Sequence, residues 1–159
     1  YERAFQLMMQ VAGRAGRKGA QGKVLVQTYD DENKIFRLLK ANDYTSFIDQ
    51  QIEERRLFNY PPYNRLIGIT LKHKNQIKLD VAADSLVSLL RKSFGNRVLG
   101  PEYPAISRIR NYYHKNVLLK IEQEGSVVEA KNILQTIVGR MQEHTDFKAV
   151  RFILDIDPV

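Results

Sequence analysis

The chain contains no cysteine and no tryptophan, and only three histidines and five prolines in 159 residues. Without cysteine neither a disulfide framework nor a thiolate zinc site can form, which suits a reducing compartment. His73, His114 and His144 are too scattered to suggest a metal site, so no metal is expected here. No apolar run approaches the roughly 20 residues that cross a bilayer, and no charged start followed by an apolar stretch reads as a signal peptide. A soluble, cytoplasmic chain with no membrane partner is the expectation.

What is present falls in the globular range, with 43% hydrophobic and 27% charged residues. The length admits one domain, or a small domain with a piece of another. A net charge of +7 points toward a polyanionic partner. The charge is unevenly spread. Residues 1–59 carry ten Lys or Arg against eight Asp or Glu, residues 60–120 eleven against three, and residues 121–159 four against seven. The excess therefore lies in the middle.

Phe5, Met8, Met9 and Ala12 recur at helical spacing from the first residue onward, so a helix reads as already under way at Tyr1 and a fragment is expected. Four glycines between Gly13 and Gly22 interrupt it, and Lys23 to Tyr29, rich in β-formers, predicts a buried strand. Asp31 can cap a helix carrying Ile35, Leu38 and Leu39; Asp43 can cap a second carrying Phe47, Ile48 and Ile52. Tyr60-Pro61-Pro62-Tyr63 ends helical structure and sets the expected boundary between residues 1–59 and 60–159.

Beyond it, Arg65 to Lys72 alternates as a strand, and an apolar helical face from Leu79 to Phe94 stops at Gly95. Val98 to Ile109, broken by Pro101 and Pro104, predicts a bent or edge strand, and Asn116 to Glu122 another strand. Ser126 and Glu129 have capping-box spacing ahead of a second helix, and Val150 to Ile156 alternates as a closing strand. The class is α+β, and the order βαββαβ is the split-βαβ or ferredoxin-like arrangement, which alone implies no function. Asp155 and Asp157, near the terminus beside Pro158, read as structural rather than as a metal pair.

Two stretches carry chemistry. In the middle block Arg65, Lys72, Lys74, Arg108, Arg110 and Lys115 accompany Tyr112 and Tyr113, joining cations that neutralise phosphates to rings that can stack on bases. The same residues could equally form a hairpin kept soluble by its charge, with the tyrosines on the sheet. The other stretch is Gln10-Val11-Ala12-Gly13-Arg14-Ala15-Gly16-Arg17. Two guanidinium groups at this spacing suit the charge on a transferring phosphoryl group. A solvated basic turn, or a direct contact with nucleic acid, would use the same residues.

The second stretch resembles the sixth motif of superfamily 2 helicases. With Gly22-Lys23-Val24-Leu25-Val26-Gln27-Thr28, Glu54-Arg55-Arg56, Tyr60-Pro61-Pro62-Tyr63, Leu99-Gly100-Pro101, Ile106-Ser107-Arg108-Ile109 and Leu154-Asp155-Ile156-Asp157-Pro158, essentially the whole chain is similar to the C-terminal end of primosomal replication-restart helicases. His114-Lys115-Asn116 departs from a place that often reads Arg-Trp-Gln in that family.

The resemblance implies that residues 1–59 are the tail of a RecA-like lobe, with Arg14 and Arg17 as arginine fingers and Gln10, Gly13 and Gly16 ordering the nucleotide cleft. It implies a parent that uses ATP and Mg2+ for 3′→5′ unwinding and holds zinc elsewhere. Forked or single-stranded DNA, single-stranded DNA-binding protein and primosome loading proteins are the implied partners. This chain contains no G-x-x-x-x-G-K-[ST] loop and no acidic Mg2+ box, so no ATP hydrolysis is expected of it alone. The rival expectation is a stand-alone basic ferredoxin-like nucleic-acid-binding module.

Overall fold

A computed structural model describes residues 2–15 and 22–158. The chain divides into two compact units, Tyr1–Leu57 and Phe58–Val159. The division falls two residues ahead of the place that the prolines suggest. Phe58 belongs with the second unit, where its carbonyl accepts a hydrogen bond from Lys120 Nζ at 2.5 Å.

The first unit holds three helices, α1 (Glu2–Ala12), α2 (Lys34–Ala41) and α3 (Tyr44–Leu57). Asp43 caps α3 by accepting from Ser46 N at 3.0 Å, as its position before the apolar series suggests. α2 is capped by Asn33 instead of Asp31: its side chain accepts from Ile35 N at 3.1 Å, and the helix starts two residues further on. The core is small. Phe5 of α1 stacks on Phe47 of α3, with ring centroids 4.1 Å apart, and Tyr44 lies beside them.

The strand expected at Lys23–Tyr29 does not form. Residues 22–28 belong to no ladder, and Leu25 and Tyr29 are fully exposed. A strand is stabilised by a neighbour that takes its backbone groups. Among the described residues the first unit has no other strand.

The second unit is a four-stranded antiparallel sheet with an appended two-residue strand. Its elements are β1 (Asn64–His73), α4 (Gln76–Phe94), β2 (Val98–Glu102), β3 (Arg108–Ile109), β4 (Tyr112–Glu122), α5 (Val127–Glu143) and β5 (Arg151–Ile156). The strands lie in the order β2-β4-β1-β5, with β3 paired to the start of β4. This is the interleaved βαββαβ topology that the sequence predicts. The bent stretch from Val98 to Ile109 resolves into β2, at the sheet edge, and β3.

Directly paired residues share a face of the sheet. Ile67, Ile69 and Leu71 on β1 pair with Leu119, Val117 and Lys115 on β4, and face the helices. Against them α4 lays Leu79, Ala82, Ala83, Leu86, Leu90 and Phe94, and α5 lays Ala130, Leu134, Val138 and Met141, in one buried cluster. Asn75 and Ser126 cap the two helices by accepting from Lys78 N and Glu129 N. Gly95 turns the chain at φ 57°, a left-handed conformation that costs glycine little.

Both helices therefore cover one face, and no helix of the second unit lies on the other. One end of that open face is closed by the chain itself. Pro158 lies over Gly68, Asp157 accepts from Leu66 N at 3.2 Å, and Lys120 sits over the Tyr60 ring at 4.1 Å. Asp157 thus holds the tail to β1.

Candidate nucleic-acid interface

The opposite end of the sheet gathers most of the basic, aromatic residues. There β1 finishes at Lys72 and His73, β4 begins at Tyr112, and β5 begins at Arg151. Lys72 pairs with His114 on one side and with Arg151 on the other. These three side chains form a row across adjacent strands on the open face, about 10 Å wide at the usual interstrand spacing.

β3 and β4 form a tight hairpin in which Arg108 pairs with Tyr113 and Ile109 with Tyr112. The two turn residues, Arg110 and Asn111, have φ of 48° and 64°. Two successive left-handed residues give the turn whose twist matches its strands, and asparagine tolerates that conformation well. Arg110 is therefore displayed at an exposed tip. Arg108 is fixed by a 3.2 Å hydrogen bond from its guanidinium to Asn111 Oδ1.

The rings here are already engaged by cations. Arg151 Cζ lies 5.2 Å and Lys74 Nζ 5.8 Å from the Tyr112 centroid, and Arg108 Cζ lies 5.2 Å from that of Tyr113. Tyr113 also packs against the core cluster. His114 is half-buried; burial, and then the nearby Lys72 charge, push its pKa below the ordinary histidine value.

The structure brings Lys72, Lys74 and Tyr112 together at the open face, with Arg110 at the hairpin tip, whereas Arg108 and Tyr113, paired with one another, lie on the helix face at the same strand end. Arg65 lies at the other end of β1, paired with Ile121. Lys115 points to the helix face, is 9% exposed, and forms a 2.7 Å ion pair with Asp80 of α4. Its pairing with Leu71, which is buried under the helices, fixes it on that face, because alternate residues of a strand point to opposite sides. Lys115 is thus a structural cation. Tyr103 completes this cluster by donating its hydroxyl to Asp80 at 2.5 Å, with Lys115 Nζ 4.8 Å above its ring. Burial raises the Asp80 pKa, but hydrogen bonds from Lys115 and Tyr103 and the Lys115 charge outweigh it and hold the carboxyl below its usual value. Burial and the bond to Asp80 push the Tyr103 hydroxyl up.

Arg151 is the member that charge counting misses, since it lies in the acidic final block. The βαββαβ order places the last strand beside the first, and that signal could have brought Arg151 next to Lys72.

In the first unit, Gln10 lies in the last turn of α1, and Gly13 and Arg14 in the turn that follows, all three exposed. Gly13 N donates to Met9 O at 2.9 Å, and Arg14 N to Val11 O at 3.1 Å. A Cβ on Gly13 would meet Met9 O at 3.4 Å, an ordinary contact, so the local fold does not itself require glycine. Gly16 and Arg17 lie outside the described residues. Among the described residues no helix is long and apolar enough to cross a membrane.

The fold and this strand end define a basic domain of split-βαβ topology, open on one sheet face and cationic at one end of it. Residues 56–159 match the family model described as the primosomal protein N C-terminal domain. The chain belongs to that family. Two relatives named replication restart protein PriA, from Bacillus subtilis and Thermotoga maritima, are each 32% identical over 99% and 98% of this chain. A third of the same name, from Rickettsia felis, is 34% identical over 74% of it. The chain spans about a fifth of the length of these relatives, 19%, 19% and 18% respectively.

Proposed function

We propose that this chain is the C-terminal end of an ATP-dependent 3′→5′ DNA helicase that restarts replication at abandoned forks, and that its second unit holds DNA at the cationic strand end. The observation that carries the reading is the likeness, along both units, to proteins named for replication restart. Forked or single-stranded DNA is the proposed polyanion, with single-stranded DNA-binding protein and primosome loading proteins as further partners.

In the longer protein ATP and Mg2+ are held by segments other than these, and zinc by an insertion that this chain does not include. Arg14 and Arg17 then supply planar, permanently charged groups to the γ-phosphoryl, with Gln10, Gly13 and Gly16 shaping the approach.

The test uses the full-length helicase. Replacing Arg14 or Arg17 with Ala is expected to lower kcat for ATP hydrolysis by about 10³ and leave DNA affinity close to wild type. Lysine at either position is expected to restore little, because it lacks the planar fork. Loss of DNA affinity with ATP turnover intact would instead make these arginines backbone contacts and remove the nucleotide-cleft reading.

A further inference from the structure

The cations at the strand end are neighbours without acidic partners. Arg151 and Lys72 are directly paired across strands on the open face, an arrangement of like charges that destabilises a sheet. The ion pairs found among the described residues join Arg55 to Glu2, Arg97 to Glu122, Lys115 to Asp80 and His144 to Asp146. None involves Lys72, Lys74, Arg108, Arg110 or Arg151. Uncompensated repulsion of this kind is what a site built for an external anion tolerates.

What holds these cations in place is aromatic. Tyr112 lies across the face beneath Lys74 of the β1–α4 turn and Arg151 of β5, and Tyr113 carries Arg108. A ring face attracts a cation through its quadrupole, and the attraction orients the charge without neutralising it. An aspartate in the same place would also orient the cations, but it would cancel them.

We propose that Tyr112 is a positioning residue, whose ring holds Arg151 and Lys74 beside Lys72 so that the three grip the phosphodiester backbone of DNA, and that bases do not stack on it. The inference rests on the reading of this strand end as a DNA site and assigns Arg151 to it. Base stacking, the expectation from the bare sequence, would need the ring surface that these cations use. Recognition here is therefore indifferent to base and governed by charge.

The decisive experiment compares the unaltered chain on a single-stranded oligonucleotide and on the same backbone with abasic positions, by fluorescence anisotropy across a salt series. Equal affinities are expected. Arg151→Ala should flatten log K against log salt by about 0.7, the value of one lost phosphate contact on a single strand. Tyr112→Leu should weaken binding by about two- to tenfold, the scale of an exposed cation–π contact, and lower the slope as well, while the conservative Tyr112→Phe restores both. Thermal melting of each variant separates misfolding from weakened binding, and the abasic comparison needs no variant at all.

A loss of affinity on the abasic strand of tenfold or more, with the salt slope of Tyr112→Leu unchanged, overturns the proposal in favour of stacking and leaves the DNA site standing. Wild-type binding by the Lys72→Ala, Arg151→Ala double variant at every salt concentration removes the DNA site from this surface altogether.

Discussion

The two units contain helices of similar quality but very different interiors. In the first, Phe5 and Phe47 are the side chains buried among its described residues, and Val24, Leu25 and Val26 are exposed in an extended segment. In the second, two helices and three strands close over a continuous cluster from Ile67 to Val150. The difference shows that local sequence signals produce helices wherever capping and one apolar face suffice. Strands form only where a partner strand is at hand, because their backbone groups are satisfied by another segment.

The sharpest way to test that contrast is to remove equal side chains from the two settings. Leu86→Ala, in the middle of the second cluster, is expected to cost about 2 to 5 kcal/mol in urea unfolding. Leu25→Ala, at a fully exposed position, should fall within about 0.5 kcal/mol of wild type. Comparable losses would mean that the extended segment is covered in solution. A smaller effect is expected where the second unit is constrained by backbone and not by apolar packing. Gly100 has φ 96°, and a Cβ there would meet Asn116 O at 2.8 Å, so Gly100→Ala should destabilise by about 1 to 3 kcal/mol. Calorimetry checks it, and an unchanged melting temperature would show that the β2–β4 edge yields freely.

The mildest probe is acid. Asp80 has its carboxyl held below the ordinary value when folded, so its stabilising contribution is complete above the unfolded pKa and is lost as pH falls through the folded one. Urea midpoints followed below about pH 4 should decline less steeply for Asp80→Asn than for wild type. Parallel declines would mean that other carboxylates govern the acid limb.

Much of this architecture is legible in the sequence for reasons tied to particular residues. Asn75 is a missed cap, but the apolar series from Leu79 to Phe94 and the stop at Gly95 define α4 almost completely. Ser126 and Glu129 do the same for α5. The Lys23–Tyr29 stretch misleads because its composition describes a strand's surface while saying nothing of its neighbour. The candidate site is half legible: the hairpin cations are read from local density, whereas the inward turn of Lys115 and the arrival of Arg151 depend on strand register. A one-residue shift exchanges the faces of a strand, and charge counting along the chain has no access to that.

The covering of one end of the sheet by Tyr60, Lys120 and Pro158 has a consequence. The polypeptide enters the second unit at that end, and the cations lie at the other, ten residues of β1 away. At strand geometry that separation is about 33 Å, so the contacts that seat the chain at Phe58 and Tyr60 are remote from Arg110 and Arg151, and either end of the sheet can change without altering the other.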